Sequence, residues 1–177
     1  MGSECADPVV TADLYDAYHE HLQVCELQFR SFGRIDSFCG PCATLATFED
    51  HGPVLEALQK EGNGQVLVVD GGGSLRVGIL GDKLAAIGAD NGWVGVIVVG
   101  AIRDSRGIDH LNIGIKALGA TARRTWSIGA GRHSAPLQFG SVAVRPGHWV
   151  YADPDCVLIS SGPRDVREKP RSQATGC

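Results

Sequence analysis

Two short segments near the middle of the chain carry residues that could do chemistry. Gly81-Asp82-Lys83-Leu84 begins a stretch with helical character, and Arg103-Asp104 ends a long apolar run. The first amides of a helix have no intrahelical partner, and together with the helix dipole they favour a carboxylate or phosphate. An Arg-Asp pair leaving a buried strand is poorly explained by packing, because neither side chain is cheaply buried unpaired. We predict that both segments form one site.

The residue types at this site favour chemistry on a 2-oxo acid. Asp104 is a hard oxygen ligand suited to Mg²⁺ or Mn²⁺ that keeps several waters. The amides of Gly81 to Leu84 would hold a carboxylate while Arg103 polarises the neighbouring carbonyl, which stabilises an enolate. Asp82 is placed to handle a proton. Simpler interpretations stay open: Asp82 as a helix N-cap, Lys83 as a solvated charge, and the Arg-Asp pair as a surface ion pair.

A strand-helix-strand unit would bring these two segments together. Residues 65–70 form a short apolar run closed by a glycine-rich turn, residues 82–92 are helical, and residues 94–100 are apolar throughout. This order predicts a βαβ unit with a buried parallel pair of strands. Ligands of such sheets collect beyond the carboxyl ends of the strands, which is where both candidate segments fall.

The rest of the chain predicts an α/β fold with a β-rich C-terminal half. Hydrophobic spacing, capping residues and turn residues indicate its elements. We expect a helix at 10–23 capped by Thr11, one or two strands within 29–50, a helix at 53–62, a helix or helix-turn at 108–120, and three short strands within 137–161.

Composition limits the class of protein. A chain of 177 residues with 44% hydrophobic and 20% charged residues suits one globular domain. A net charge of -4 provides no broad basic surface, so we expect no direct nucleic-acid binding. No apolar run reaches the length of a membrane span, and the first residues lack a secretory signal. We therefore expect a cytoplasmic protein whose six cysteines are free thiols.

Several other motifs give weaker signals. Cys39-Gly40-Pro41-Cys42 matches a redox or metal pattern, but the strand-like ATLATF follows it, so two small buried residues at a strand start are favoured. The glycine run at 70–73 lacks a dinucleotide fingerprint, and no nucleophile elbow is present. Each histidine is expected to be a surface or hydrogen-bonded residue: two lie on the first predicted helix (His19 and His21), and four lie near predicted turns (His51, His110, His133 and His148).

The ordered set of motifs resembles the RraA-like family, which includes regulators of ribonuclease E activity and class II 4-hydroxy-4-methyl-2-oxoglutarate aldolases. The match covers roughly residues 10–162, leaving 1–9 and 163–177 as expected flexible ends. The segments that carry it are FEDHG, QVLVVDGGGSLRVGILGDKLAAIGADNGWVGVIVVGAIRD, LNIGIKALGA and FGSVAVRPGHWVYADPDCVLIS.

This resemblance implies a single compact β/β/α domain of the swivelling type, assembled as a homotrimer and sometimes as a hexamer. Sites would then lie between subunits. It also implies that Asp104 binds the metal, that Arg103 contacts the pyruvyl unit, and that Gly81 to Leu84 bind its carboxylate. In the aldolase branch an Asp is followed by twenty residues and then Arg-Asp, and Asp82 with Arg103-Asp104 satisfies that pattern.

The branches of the family imply two different functions. One is a metal-dependent lyase, either an aldolase or an oxaloacetate decarboxylase, acting through pyruvate enolate. The other is a noncatalytic regulator that binds a ribonuclease partner. Retention of Asp104 favours the lyase. Three departures weaken efficient aldol cleavage: Gly107 replaces a frequent acidic residue, His148 replaces an Asp after Pro-Gly, and the long C-terminal extension of some aldolases is missing.

Overall fold

The centre of the sheet consists of two apolar strands that lie side by side. Strand β4 (Val66–Asp70) pairs in parallel with β5 (Gly95–Ile102), and helix α3 (Asp82–Asp90) connects them. Every residue of β5 is buried. A parallel strand covered on both faces needs apolar side chains in both directions, so its sequence does not alternate. The predicted βαβ unit is confirmed.

The computed structural model describes residues 7–126 and 129–168. The further helices of that part of the chain are α1 (Thr11–Tyr18), α2 (Gly52–Leu58) and α4 (Ser105–Ile108), and a 3-10 turn covers His19–His21. The further strands are β1 (Leu22–Val24), β2 (Arg30–Phe32), β3 (Phe38–Ala46), β6 (Gly114–Ala120), β7 (Arg132–His133), β8 (Leu137–Phe139), β9 (Val142–Val144), β10 (Trp149–Ala152) and β11 (Val157–Ser160).

One long mixed sheet organises these elements. Its strand order is β1-β11-β10-β3-β4-β5-β6-β2, and β7 pairs additionally with β3. Strand β3 joins the two halves: Phe38 to Pro41 pair antiparallel with β10, and Cys42 to Ala46 pair parallel with β4. Strands β3, β4, β5 and β6 therefore run in the same direction. Their carboxyl ends meet at one edge, where the candidate site lies.

Two large apolar clusters cover the two faces of the central strands. On one face, Leu67 and Val98 pack with side chains of α2 and α3. On the other face, Val68 and Ile97 pack beneath the hairpin formed by β8 and β9 and against β10 and β11. The predicted α/β class with a β-rich C-terminal half is confirmed. Within the described ranges, no helix is long and apolar enough to cross a membrane.

The ends of the domain contact its body where they are described. The amide of Val9 donates to Ser37 Oγ at 2.7 Å, and the amide of Arg164 donates to Tyr151 Oη at 2.5 Å. Residues 1–6 and 169–177 lie outside the described part of the chain. The predicted boundaries at residues 10 and 162 stay predictions.

The expected helix at 108–120 is wrong. Residues 105–108 form the short helix α4, and Gly114–Ala120 form β6, which pairs with β5. The apolar residues Leu111, Ile115 and Leu118 happen to match a helical period. The deciding contacts are nonlocal: Ile115 lies opposite Val96, and a Cβ on Gly114 would lie 2.2 Å from the Phe38 ring.

Smaller corrections concern helix ends and strand number. Helix α1 ends at Tyr18 rather than near residue 23, and Thr11 is its first residue rather than its cap. The Thr11 amide and hydroxyl both donate to the buried Asp153 carboxylate, which takes over the capping role from across the fold. Helix α2 ends at Leu58, and residues 137–161 form four strands, β8 to β11, rather than three.

The Cys39 to Cys42 motif lies within β3, as expected of buried strand residues. The two side chains point to opposite faces of the sheet, into different apolar clusters. Burial raises the pKa of Cys42 to about 12, so its thiol stays protonated. Cys25, Cys42 and Cys156 are free thiols, as expected, whereas Cys39 is disulfide-bonded, which corrects that expectation. The motif does not form a dithiol pair.

Candidate active site

The ends of β4 and β5 place the two predicted segments side by side. After β4 ends, residues 78–80 take its place beside β5, with Gly78 bridged to Ala101. The Ile79 amide donates to the Ala101 carbonyl, and the Arg103 amide donates to the Leu80 carbonyl, both at 2.9 Å. A Cβ on Gly78 would lie 3.0 Å from the Ile102 carbonyl carbon, so glycine permits this approach.

Arg103 and Asp104, which directly follow β5 at this edge of the sheet, form an ion pair. Arg103 Nε donates to Asp104 Oδ2 at 3.1 Å, and the two side chains are 29% and 45% exposed. Such an exposed pair contributes at most about 1 kcal/mol to stability. Asp104 has φ +58°, and its carbonyl accepts the Gly107 and Ile108 amides that begin α4. At this left-handed residue the backbone leaves the direction of β5 and enters α4.

Helix α3 begins differently from the capping interpretation. Gly81 is the N-cap, and Asp82 is the first helical residue rather than the cap. Asp82 Oδ1 accepts the Lys83 amide at 2.7 Å, so that amide already has a partner. The Lys83 side chain is exposed, while Leu84 packs partly against the apolar cluster. The assignment of Gly81 to Leu84 to a substrate carboxylate stays a prediction.

One cleft of about 310 Å³ brings every predicted site residue together. A Cβ on Gly81 would lie 3.1 Å from Asp104 Oδ2, which shows how closely the two segments approach. The lining also includes two charged or titratable residues that sequence reasoning missed, His51 and Arg124. The full lining is His51, Gly78, Gly81, Asp82, Lys83, Leu84, Arg103, Asp104 and Arg124.

His51 and Arg124 follow strands that run parallel to β5. His51 comes shortly after β3, and Arg124 comes shortly after β6. Residues that follow parallel strands are candidates for a binding site, and Arg103 was predicted on that basis. His51 and Arg124 were missed because the parallel pairing of β3 was not predicted and because β6 was predicted as a helix.

A bound cation would meet few protein ligands in this cleft. Asp82 and Asp104 are its acidic residues, and the described residues contain no group of three His, Cys, Asp or Glu suited to a metal. Mg²⁺ commonly binds through one or two carboxylates and keeps several waters or substrate oxygens. The donor set therefore fits a hydrated Mg²⁺ or Mn²⁺ ion and does not fit an all-protein metal cage.

Comparison with known proteins gives consistent matches over nearly the whole domain. The model of the RraA-like family, described as Aldolase/RraA, matches residues 11–159. A protein of Aromatoleum aromaticum named "putative 4-hydroxy-4-methyl-2-oxoglutarate aldolase" is 46% identical over 150 residues, which cover 85% of this chain and 94% of that protein.

Two solved structures are similarly close, and their names differ. A Geobacillus kaustophilus structure called S-adenosylmethionine: 2-dimethylmenaquinone methyltransferase has a TM-score of 0.85 and 46% identity, covering 87% of this chain and 96% of that one. The RNA-processing inhibitor RraA of Thermus thermophilis has a TM-score of 0.85 and 41% identity, covering 92% and 99%. Because these names differ, they do not assign a function to this chain, and a function has to be inferred from the residues of the site.

Proposed function

The chain belongs to the RraA-like family, and from that premise we propose that it is a divalent-metal-dependent lyase acting on 2-oxo acids. The proposed reactions are aldol cleavage of 4-hydroxy-4-methyl-2-oxoglutarate and decarboxylation of oxaloacetate. The observation that carries the proposal is the convergence of Asp82, Arg103 and Asp104 on one cleft. Relatives 42% to 47% identical that carry the aldolase name support the same reaction class.

Each side chain has a proposed task. The first amides of α3, other than that of Lys83, and the exposed Lys83 ammonium hold the substrate carboxylate. The Arg103 guanidinium, positioned by Asp104, donates to the 2-oxo oxygen, where negative charge develops as the enolate forms. Asp82 Oδ2 accepts the proton of the 4-hydroxyl in aldol cleavage.

Both proposed reactions share one intermediate, which is why one site can serve both. In aldol cleavage the C3–C4 bond breaks, its electrons form pyruvate enolate, and the 4-hydroxyl oxygen becomes a carbonyl as its proton leaves. In decarboxylation the C3–C4 bond of oxaloacetate breaks, CO₂ departs, and the same enolate remains. Protonation at C3 then yields pyruvate in both cases.

The proposed cofactor is Mg²⁺ or Mn²⁺, held by Asp104. When bound there, it would supply Lewis-acid stabilisation of negative charge on substrate oxygen. Asp104 suits this task because its side chain is 45% exposed and its carboxylate already lies beside the Arg103 guanidinium. Asp82 lines the same cleft and could orient water at that position.

Oxaloacetate turnover is the decisive test of the proposed function. We expect pyruvate release from oxaloacetate with added Mg²⁺ or Mn²⁺, at a rate clearly above that of the free metal, and loss of that rate with a chelator. The measurement is coupled pyruvate detection with and without protein at equal metal concentration. A rate no higher than the metal-only background would contradict the lyase.

The departure at Gly107 touches the site directly. A Cβ there would lie 2.7 Å from Asp82 Oδ2 and 2.8 Å from Asp82 Cβ. We therefore expect Gly107→Ala to displace Asp82 and lower kcat for aldol cleavage of 4-hydroxy-4-methyl-2-oxoglutarate by about tenfold, since misplacement of a catalytic group by about 1 Å costs up to 100-fold.

The matched control for that substitution is Gly162→Ala, because a Cβ at Gly162 meets nothing within 4 Å. Thermal melting of both variants would separate a local displacement from general unfolding. An unchanged kcat for aldol cleavage in a folded Gly107→Ala protein would show that Asp82 is not the proton acceptor.

A second candidate function is regulation of a ribonuclease through protein-protein binding. The observation that favours it is the 41% identity to the Thermus RNA-processing inhibitor.

A homotrimer, or a hexamer, is proposed for either function, since exposed apolar side chains border the site edge: Phe48, Leu75 and Trp126 are 62%, 54% and 85% exposed. A monomeric mass in solution would rule out a site shared between subunits.

A further inference from the structure

The position of His51 is fixed by hydrogen bonds of the surrounding backbone rather than by hydrogen bonds of its imidazole. Asp50, only 6% exposed, accepts the Gly52 amide at 2.8 Å and the Gly129 amide through its carboxylate. The His51 carbonyl accepts the Leu55 amide at 2.9 Å. These backbone bonds fix the start of α2 and hold the imidazole at the wall of the cleft.

The fold gives no account of a histidine at this position. Its Nδ1 is enclosed and has no hydrogen-bond partner in the described chain, a condition that costs about 1–3 kcal/mol. Nε2 is not among the enclosed atoms, and it makes no hydrogen bond with residues 7–126 or 129–168. His133 offers a contrast, because its enclosed Nε2 lies 3.4 Å from Glu56 Oε2 and has a charged neighbour. His51 Nε2 is thus free to meet a ligand.

Arg124 contributes a positive charge to the same cleft. Its guanidinium lies over the Trp126 ring, 4.3 Å from the centroid, and Nε makes one 3.3 Å contact to the Thr125 carbonyl. No ion pair of Arg124 is recorded among residues 7–126 and 129–168, whereas Arg103 is paired with Asp104. A planar guanidinium that lies over an aromatic ring can still offer a fork of N–H donors to a bidentate carboxylate partner.

We propose that His51 and Arg124 form a subsite for the distal carboxylate of a dicarboxylic 2-oxo acid. The inference rests on the proposed function, in which α3 and Lys83 bind the first carboxylate and Arg103 binds the 2-oxo oxygen. A second carboxylate needs a second positive group, and Arg124 is the cation of the cleft that neither task uses. Arg124 supplies charge and two donors, and His51 supplies an imidazole N–H.

The subsite predicts preference for a distal carboxylate that can be measured without turnover. The probes are 2-oxoglutarate and 2-oxopentanoate, which have the same chain length and differ in the distal carboxylate. We expect the wild-type protein, with Mg²⁺, to bind 2-oxoglutarate at least about tenfold more tightly, as one charge-assisted bidentate contact can supply. Isothermal titration calorimetry provides both dissociation constants.

Variants assign that preference to the two residues. Arg124→Gln should weaken 2-oxoglutarate binding by about tenfold and change 2-oxopentanoate binding by less than about twofold. His51→Ala should weaken 2-oxoglutarate by about fivefold, and His51→Gln, which keeps a donor, should restore part of the loss. The control Lys60→Gln removes a positive charge from an exposed side chain at the end of α2, outside the cleft, and should change neither constant.

The outcomes separate this subsite from the proposed function. Equal weakening of both probes in Arg124→Gln, or no weakening of either, overturns the subsite. Equal wild-type affinity for the two probes also overturns it, even when oxaloacetate is turned over. A wild-type protein that neither releases pyruvate nor binds either probe fails at the earlier step, the 2-oxo acid site itself.

Discussion

Asp104→Asn is expected to lower kcat/KM for metal-dependent oxaloacetate decarboxylation by at least about 100-fold, a loss of about 3 kcal/mol in transition-state stabilisation. The substitution removes the one carboxylate charge assigned to the cation and the ion-pair partner of Arg103 Nε. Asparagine is preferable to alanine because the residue has φ +58°, a left-handed conformation that asparagine tolerates better. The fold should therefore survive.

The measurement is the steady-state rate of pyruvate release across a series of Mg²⁺ concentrations. Asp90→Asn is the matched control, since Asp90 is an exposed carboxylate at the opposite end of α3. Its rate should stay within about twofold of wild type, as expected of a surface change away from the site. A folded Asp104→Asn protein with full metal-dependent activity would refute the assignment of Asp104.

Lys116→Met is expected to have the largest effect on stability, lowering the free energy of unfolding by about 3–5 kcal/mol. Lys116 is 1% exposed, and its ammonium donates to Ser31 Oγ, the Asp36 carbonyl and the Asp153 carbonyl at 2.7, 2.8 and 2.7 Å. Methionine fills a similar volume but leaves three acceptors unpaired. It also removes the positive charge near the buried Asp153 carboxylate.

Urea unfolding at pH 7 provides the measurement, with Lys60→Met as the control. Lys60 is 62% exposed, so its replacement should change stability by less than about 0.5 kcal/mol. A loss below 1 kcal/mol in Lys116→Met, by the same extrapolation, would mean that the three hydrogen bonds barely exceed the cost of burying the ammonium.

The pH dependence of that difference has a definite sign. Burial lowers the pKa of Lys116 below its ordinary value of 10.5, because desolvation disfavours the charged form. Between the lowered pKa and about 10.5, the unfolded chain binds more protons than the folded chain at this group. The contribution of Lys116 to stability therefore rises with pH in that window. The gap between wild type and Lys116→Met should widen from neutral toward alkaline pH.

Much of the site was predictable because its determinants are local. The apolar runs of β4 and β5 indicate strands that are buried on both faces. A helix that connects two such strands indicates that the strands pair in parallel. Gly81 to Leu84 and Arg103-Asp104 then follow, since both segments flank the same unit. The family resemblance, carried by ordered motifs over most of the chain, was confirmed by the match to residues 11–159.

The errors occurred where a distant contact overrides the local pattern. Residues 108–120 have an apolar spacing compatible with a helix, yet Gly114–Ala120 add to β5 as a strand because their backbone groups complete its ladder. Thr11 has the chemistry of a cap, yet Asp153 satisfies the helix start from another part of the chain. Neither partner can be identified from sequence spacing alone.

The sequence by itself determined the two segments on which the proposed chemistry depends, Gly81 to Leu84 and Arg103-Asp104. Strand burial and helix initiation depend on residues that are consecutive in the chain, so both could be predicted locally. Only the tertiary structure decided which other side chains reach them. His51 and Arg124 enter the cleft because β3 and β6 lie parallel to β4 and β5 and end at the same edge. Strand order results from packing between residues far apart in the chain, so its consequences for the site appear only once the sheet is assembled.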